Sequence, residues 1–357
     1  MHLQLSFLSL QLNRLSNCMR PSLKDIAKEL NLSKTTVSWV LSGRAQQKGI
    51  SEATAKKVIE YAVQLNYQPN LIARSLNTGI TKTIGLILPS ISDSFYSEVA
   101  REIEADARNK GYSLMIGSSE SDIDREDEII RLFKSKVVDG IIIAPTKRSK
   151  IEIQRLLDES YPLVTIDRYF PELDASYIII NNRDSSYMLT KHLIRKGCKK
   201  IALLTTNSYL TTMTQRREGF DDAIRESKQV VVSKLYGEVN FVDYEKNIYK
   251  VLDDIFREAP DVDGFFFTTH ILALEAFQYF HDKGIKPNYE FASIHEVPIF
   301  KVVAPRINVA RMPIEEIGKN AVKILIDQID TVKKYPTKRK KIEPKQLVLS
   351  CSLEFRS

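Results

Sequence analysis

From residue 83 onward, short apolar runs alternate with segments of helical periodicity, and this alternation limits the possible folds more than any other feature. The run IGLILP at 84–89 is continuously apolar, as is typical of a strand buried on both faces of a sheet. Strands separated by helices are expected to be parallel. The pattern predicts strands over 84–89, 113–116, 140–144, 163–166, 177–180, 200–204 and 264–268, and helices over 95–110, 127–135, 150–159 and near 183–196, 215–226, 243–257 and 271–283.

The alternation restarts after the strand at 177–180, which predicts two doubly wound lobes in succession. Two such lobes leave a cleft between them. In open α/β sheets, ligands bind at the carboxyl ends of the strands. The cleft is therefore the expected ligand site of the body.

The size of the chain and its cysteine content limit the class of protein. At 357 residues and 40.8 kDa it is too long for one compact core, so two or three domains are expected. Cys18, Cys198 and Cys351 are far apart, so neither a disulfide framework nor a zinc pair is expected, and a reducing cytoplasm fits. No apolar run reaches the roughly 18 residues that a transmembrane helix needs.

Positive charge is concentrated near the start of the chain. Residues 1–82 contain eleven Lys and Arg against four Asp and Glu, which accounts for the whole net charge of +7. The remaining 275 residues carry 41 basic and 41 acidic side chains. A basic segment attached to a neutral body indicates nucleic acid as a partner, although a solvated basic face is the alternative.

Two short helical patterns lie within this basic segment. Apolar residues recur with helical spacing over 23–30, Ser22 is placed to cap that helix, and Asp25 completes a capping-box pattern. A tight turn follows, and Ser33 caps a second helix over about 34–41. Two helices joined in this way form a helix-turn-helix. A third helix, over about 52–65, is predicted to pack behind them with Ala55, Val58, Ile59, Ala62 and Val63.

The segment 22–41, SLKDIAKELNLSKTTVSWVL, resembles the headpiece of the lactose-repressor (LacI/GalR) family of bacterial transcription regulators. The segment 65–76, LNYQPNLIARSL, matches the link and hinge helix of that family. The resemblance continues over about residues 20–357. It implies an N-terminal all-α helix-turn-helix headpiece followed by an α/β two-lobed effector domain of the periplasmic-binding-protein type, built on two doubly wound parallel sheets.

These motifs divide the chain into four predicted parts. Residues 20–67 form the helix-turn-helix domain, 68–81 the hinge helix and linker, and 82–357 the effector-binding and dimerisation domain. Residues 1–19 are predicted to be a non-native extension, because the headpiece pattern begins directly after Met19 and the segment before Met19 lacks the positive start of a secretory signal.

The resemblance implies which headpiece residues contact DNA. The start of the second helix enters the major groove, where Lys34 can donate to guanine or phosphate and Thr35 can contact a base edge. Trp39 stands where the family usually has arginine, so contact with a thymine methyl replaces guanine recognition, with packing as the alternative. The loop 43–49 is longer than is usual in the family. The other headpiece positions assigned to DNA contact, mainly as hydroxyls against the backbone, are Ser22, Ser33, Thr36, Ser38, Ser51, Thr54 and Tyr67.

The hinge segment 70–77 spans only about two helical turns, and so short a helix is marginal alone. The resemblance implies that it folds when two copies pair over the centre of an operator. Leu76 would then wedge into a minor-groove base step, and the small Ala73 would allow the paired helices to approach. Asn70 begins this segment and is also assigned to DNA contact. An ordinary linker helix with Leu76 in a core is the alternative.

The resemblance also implies a set of cleft residues. Ser92, Phe95 and Tyr96 follow the first strand, and Asp167 ends the fourth. Arg216 stands where the family places an arginine that bonds sugar hydroxyls, and its fork of donors suits vicinal oxygens or a carboxylate.

Three further cleft positions differ from the residues usual in the family: Asn181 and His295 replace aspartate, and Thr269 replaces asparagine. The cleft thereby loses acceptor charge, which favours a phosphorylated or acidic sugar over a neutral hexose. For His270 and His295, a histidine satisfied within its loop is the alternative.

The sequence therefore predicts a cytoplasmic, sequence-specific DNA-binding regulator that is not an enzyme, and the family resemblance favours a repressor over an activator. The expected partners are double-stranded operator DNA, a small effector (a sugar, sugar phosphate or sugar acid) and a second copy in a homodimer, with no membrane, cofactor or metal. An enzyme would need a motif such as a P-loop or GxSxG, which is lacking, and the acidic cluster Asp122, Asp124, Asp127 and Glu128 is predicted to be a solvated face. A sugar-binding receptor without DNA function would explain the body but not residues 22–76.

Overall fold

The computed structural model describes residues 21–67, 79–206, 211–227, 233–240, 244–286, 288–334 and 342–356. The chain divides into two compact units between Ile80 and Thr81. The predicted N-terminal extension and the predicted hinge contacts Asn70, Ala73 and Leu76 lie outside the described residues.

The first unit contains the three predicted helices, which are confirmed to within one residue at each end. They are α1 (Leu23–Glu29), α2 (Lys34–Leu41) and α3 (Glu52–Gln64), with a short 3₁₀ turn at Gln46–Lys48 between the last two.

Local hydrogen bonds determine where α1 begins and ends. The backbone N–H of Ser22 donates to the Asp25 carboxylate at 2.8 Å, as the capping-box pattern predicts. The hydroxyl of Ser22, which donates to the same carboxylate, and this backbone contact together lower the pKa of Asp25. The turn to α2 passes through Asn31, whose φ of 51° lies in the left-handed region that asparagine tolerates better than most residues.

The core of this unit is a narrow apolar stripe. Ile26, Val37 and Val58 are fully buried at its centre. The prediction that Ile59 and Val63 also face this core is wrong, because their side chains are 49% and 74% exposed. Each follows a buried residue of α3 by one position, and one position rotates a helix by about 100°, which turns the side chain away from so small a core.

The second unit consists of two lobes, each built on a sheet with six strands among the described residues. The first sheet has the order β2-β1-β3-β4-β5-β11, and all its strand pairs are parallel. Its strands are β1 (Thr83–Leu88), β2 (Ser113–Ser118), β3 (Gly140–Ile143), β4 (Leu163–Ile166), β5 (Ser176–Ile180) and β11 (Gln346–Leu349).

The second sheet repeats this arrangement in the order β7-β6-β8-β9-β10-β12. Its pairs are parallel except for the last, where β12 runs antiparallel to β10. Its strands are β6 (Lys200–Thr206), β7 (Ser233–Val239), β8 (Gly264–Phe267), β9 (Glu290–Ile294), β10 (Asn308–Arg311) and β12 (Ser352–Glu354). The predicted fold class, a helix-turn-helix headpiece with two doubly wound lobes, is confirmed.

The helices of the second unit connect these strands. They are α4 (Ser94–Asn109), α5 (Ile123–Ser135), α6 (Lys150–Asp158), α7 (Asn182–Arg195), α8 (Thr211–Glu226), α9 (Tyr244–Glu258), α10 (His270–Asp282), α11 (Phe300–Val303) and α12 (Ile314–Lys334). No helix in the described ranges is long and apolar enough to cross a membrane.

Within the described part of the chain, the polypeptide passes between the lobes three times. It leaves the first sheet after β5, returns after β10 and crosses again between β11 and β12. Helix α12, which follows β10, packs back on the first sheet beside α4. Neither lobe is therefore a continuous segment of sequence.

Candidate functional site

Helix α2 of the first unit exposes the side chains that the sequence predicts to read DNA. Its start is fixed by the N–H of Thr36, which donates to the Ser33 hydroxyl at 2.9 Å. The buried Val37 and Val40 turn one face of the helix toward the core. The opposite face carries Lys34, Thr35, Ser38 and Trp39, of which the first two are exposed and the last two half-buried.

The hydroxyls predicted to face the DNA backbone cluster at helix starts. Ser33 and Ser51 each accept a hydrogen bond from the N–H of a threonine three residues on, Thr36 and Thr54. Free N–H groups at helix starts favour anions such as phosphate. Ser22 holds the corresponding position before α1. Tyr67 instead packs against the core of the unit.

In the second unit, the predicted cleft residues follow the carboxyl ends of strands in both lobes. Ser92, Phe95 and Tyr96 come after β1, Asp167 after β4 and Asn181 after β5. Arg216 lies on α8, which follows β6, Thr269 comes after β8 and His295 after β9.

Asp167 and His295 occupy equivalent positions in the two lobes. Each directly follows the fourth strand of its lobe, in the left-handed region with φ of 61° and 70°. Each also donates its backbone N–H to the neighbouring strand, Asp167 to Ile178 O at 3.0 Å and His295 to Ala310 O at 2.9 Å. Such conformations cost free energy and persist where the surroundings impose them. The shared geometry places one residue of each lobe against the other lobe, Asp167 through its carbonyl on Thr212 and His295 through its ring, whose centroid lies 5.6 Å from that of Phe95.

Asp167 forms the polar centre of the first lobe's side of the cleft. Its carboxylate accepts the Tyr96 hydroxyl at 2.8 Å and lies 3.5 Å from Nε of the buried Arg168. Its backbone carbonyl accepts the hydroxyl of Thr212, on α8 of the other lobe, at 2.8 Å. This side of the cleft therefore pairs one carboxylate with one guanidinium.

Arg216 supplies a second guanidinium from the other lobe. The residue is 4% exposed, and it donates from Nε to Asn182 Oδ1 at 2.8 Å and from Nη1 to the Thr268 carbonyl at 2.6 Å. Burial lowers the pKa of this group, and the Asp167 carboxylate opposes that shift. A buried guanidinium anchored at two points is well suited to orient a polar ligand.

Two neutral histidines complete the second lobe's side. Burial lowers the pKa of His270 to about 3 and that of His295 to about 4. His270 Nε2 lies 3.0 Å from the Ser94 hydroxyl and 3.5 Å from Asp93 Oδ1, both on the first lobe. His295 is 3% exposed, and neither ring nitrogen has a hydrogen-bond partner among the described residues. The ring of His270 is therefore satisfied, but from the first residue of a helix and by residues of the other lobe rather than within a loop, and the ring of His295 is not satisfied.

Three predicted cleft residues make local contacts instead. The Ser92 hydroxyl pairs with that of Ser90, and Thr269 accepts the Leu272 N–H as the cap of α10. Asn181 Oδ1 accepts from the Ser185 hydroxyl and the Cys351 N–H, at the point where the chain crosses between lobes. These residues shape the cleft wall and the crossing.

Two family models match this chain. Residues 22–70 match the model described as bacterial regulatory proteins, lacI family, and residues 84–294 match the periplasmic binding protein domain. The chain belongs to the lacI family. It is a DNA-binding transcriptional regulator with an effector-binding body, as the sequence predicts.

The relatives of this lacI-family protein are similar along most of their length. The ribose operon repressor of Halalkalibacterium halodurans is 28% identical over 313 residues, 87% of this chain and 90% of that protein. The transcriptional repressor PurR of Aliivibrio fischeri is 28% identical over 314 residues, 86% of this chain and 91% of that protein. Both relatives are named as repressors and not as enzymes.

Solved structures share the fold of this lacI-family protein. The lac repressor dimer bound to operator and the anti-inducer ONPF has a TM-score of 0.80 at 18% identity, over 95% of this chain and 98% of that chain. The Cra regulator of Pseudomonas putida in complex with fructose 1-phosphate has a TM-score of 0.67 at 21% identity, over 77% and 99%.

Asp93 is the main cleft residue of this lacI-family protein that the sequence analysis missed. It caps α4 by accepting the Phe95 N–H at 2.8 Å, and burial raises its pKa to about 6. An aspartate just after a buried strand and before a helix was the available signal. Asn181 and His295 replace aspartates that are usual in the family, and the Asp93 carboxylate supplies a negative charge in their place. The prediction of a cleft with few acceptors therefore has less support.

The acidic cluster at the start of α5 is the other difference. Asp122, Asp124 and Glu128 are exposed as predicted, and Asp122 caps the helix. Glu126, among them, is fully buried and accepts from the N–H and hydroxyl of Thr146. Burial raises the pKa of Glu126. Its contacts are internal to the first lobe.

Proposed function

We propose that this protein is a repressor of genes for the use of a sugar or a related metabolite, and that it acts in the cytoplasm as a homodimer on operator DNA. The observation that carries the proposal is the exposed face of α2, with Lys34 and Thr35 opposite a buried Val37 and Val40. Two such helices in a dimer would enter successive major grooves and read two half-sites. The operator-bound lac repressor dimer, similar in fold, supports the homodimer.

The DNA contacts that we propose are those named from the sequence. Lys34, Thr35 and Trp39 contact base edges, and the hydroxyls at the helix starts contact the backbone. Within the hinge, Leu76 kinks the central base step. The backbone contacts fix the position of the protein on the duplex, and the base contacts give sequence specificity.

We propose a polyhydroxylated effector for the cleft. Asp93 and Asp167 can accept from ligand hydroxyls, while Arg168 and Arg216 can donate to ligand oxygens. The unpartnered ring of His295 can satisfy one more hydroxyl, which removes the cost of a buried unpaired donor. Because two carboxylates balance two guanidiniums, the site favours a neutral sugar over a strongly anionic one. Fructose 1-phosphate, the ligand of Cra, is the anionic sugar to compare with a neutral sugar in binding experiments.

The effector acts by favouring one arrangement of the two lobes. Asp167 and His295 lie on opposite lobes, so a ligand that bridges them binds the closed arrangement better than the open one. A ligand shifts such an equilibrium only by its difference in affinity for the two states. The closed lobes would then change how two copies pair, and so the order of the hinge.

Selection of bound DNA from a random library at fixed salt, with the full chain, tests the proposal. The expected result is a near-palindromic motif with a flexible central step. The selection is repeated with ribose, cellobiose or fructose 1-phosphate, and a sugar that changes the enrichment identifies the effector class. Failure to enrich any sequence, combined with sugar binding in a calorimeter, would favour a binding receptor without DNA function.

A further inference from the structure

The ammonium of Lys48 lies over the indole ring of Trp39, 5.2 Å from the ring centroid. Lys48 is not on the recognition helix α2. It ends the 3₁₀ turn Gln46–Lys48 in the loop before α3, the loop that is longer than is usual in the family. A loop residue is thus in contact with the outer face of α2.

Backbone hydrogen bonds hold the loop in this position. The N–H of Arg44 donates to the Trp39 carbonyl at 2.8 Å, and the N–H of Lys48 donates to the Arg44 carbonyl at 3.1 Å. Gly49 then reverses the chain with a φ of 66°. The loop is therefore anchored to the same residue whose ring its lysine covers.

The charge of Lys48 is available to a partner from outside the unit. No carboxylate forms an ion pair with it among the described residues, and the loop 42–50 contains Arg44 and Lys48 but no acidic residue. A cation that is held over an aromatic face and lacks an anion remains attractive to a phosphate.

We propose that Lys48 is a DNA-contacting residue, which binds a backbone phosphate beside Trp39 and fixes the orientation of the indole ring in the groove. The proposal rests on the DNA-binding function proposed above. The DNA-contacting surface then includes the loop 43–49 as well as α2. Lys48 acts as a positioning residue for the contact that Trp39 makes with a base.

The first test is the salt dependence of binding to a mixed-sequence DNA duplex. Each phosphate contact contributes about 0.9 to the slope of log affinity against log salt. Because a homodimer carries two copies of Lys48, Lys48→Gln is expected to reduce that slope by about 1.8 for each dimer bound, and Lys48→Arg to restore it. Lys57→Gln is the matched control, because Lys57 is an exposed lysine on α3 of the same unit, and it is expected to leave the slope unchanged.

The second test uses Trp39 as a probe, since it is the single tryptophan of the chain. Removing the cation from its ring in Lys48→Gln is expected to change the emission of the free protein, and Lys57→Gln is expected not to. Addition of the duplex is expected to change the emission of the original protein more than that of Lys48→Gln. Circular dichroism confirms that each variant is folded.

The outcomes separate this inference from the proposed function. If the original protein fails to bind the duplex, the DNA-binding function is wrong. If it binds, and Lys48→Gln has the same salt slope and the same base preferences in library selection as Lys57→Gln, the role of Lys48 is wrong. A reduced slope, together with a broadened base preference at the same position of both half-sites, supports both parts of the proposal.

Discussion

The imidazole of His270, at the start of α10, lies 3.0 Å from the hydroxyl of Ser94, at the start of α4. The two residues belong to different lobes, and Asp93 approaches the same nitrogen at 3.5 Å. The starts of two helices thus face each other across the cleft through one buried imidazole. Any opening of the lobes must separate these groups and admit water to them.

Acid is expected to destabilise the second unit. His270 and His295, with pKa values of about 3 and about 4, stay neutral in the folded protein as the pH falls below about 6.5, where the same side chains in an unfolded chain take up protons. The unfolded state binds more protons in this range, so the free energy of unfolding decreases as the pH is lowered. Asp93, whose pKa is raised to about 6, takes up a proton in the folded protein over the same range. This stabilises the folded state as the pH falls and offsets roughly the loss caused by one of the two imidazoles.

The net loss between about pH 6.5 and about pH 5 is expected to be roughly 2 kcal/mol, measurable by urea denaturation. His270→Gln should flatten the dependence, whereas His281→Gln, an exposed histidine on the same helix, should leave it unchanged. A free energy of unfolding that does not vary over this range would contradict the buried, neutral state of both rings.

Arg216→Gln is expected to weaken both the protein and its response to sugar. The change leaves Asn182 Oδ1 and the Thr268 carbonyl without their charged donor, which costs about 2 kcal/mol in the free energy of unfolding. It should also abolish any rise in melting temperature caused by an effector. Arg225→Gln, at an exposed site on the same helix, is the control for both measurements. An unchanged effector response would place the ligand elsewhere.

Gly219→Ala is expected to destabilise the second lobe by about 2 kcal/mol or more. A Cβ at this position of α8 would lie 2.0 Å from the Arg183 carbonyl oxygen and 2.9 Å from Ser186 Cβ on α7. The two helices would have to separate, which outweighs the roughly 1 kcal/mol gain in helix propensity. Glu218→Ala, one residue earlier and exposed, tests propensity alone. Equal stability of the two variants would show that α7 and α8 can move apart at little cost.

Leu76→Ala is expected to weaken specific operator binding by a few kcal/mol, with a smaller effect on non-specific DNA. A wedge contributes only where the duplex is kinked at a defined step, so its loss acts on specificity. Filter binding to the selected operator and to mixed-sequence DNA measures both affinities. Equal losses on the two duplexes would argue against a wedge.

Much of the fold follows from local patterns in the sequence. The caps at Ser22 and Ser33 and the apolar spacing after them define α1 and α2 to within a residue. Continuous apolar runs identify β1, β3, β4 and β5 of the first sheet and β6 and β8 of the second, but the interior strands β9 and β10 were not predicted. The error at Ile59 and Val63 arose because periodicity defines an apolar face but not how wide a face the partner helices can cover.

Features that depend on distant contacts were less predictable. The strand β7, SKLYGEV, is an edge strand with polar residues, so it lacks the apolar run of a central strand. Helix α5 begins at Ile123, four residues before the prediction, because Asp122 caps it. In the cleft, the pairing of Asp93 with His270 joins residues far apart in sequence, and no local pattern reports it.

The strands β11 and β12 are separated by two residues, yet they complete the edges of different sheets. During synthesis, a ribosome that has reached residue 345 has therefore made a body in which both lobes still lack an edge strand. Neither sheet can be completed before residues 346–354 have left the exit tunnel, and the two edges are then completed together. A nonsense mutation before Gln346 would leave two unpaired sheet edges at once, and such edges promote aggregation.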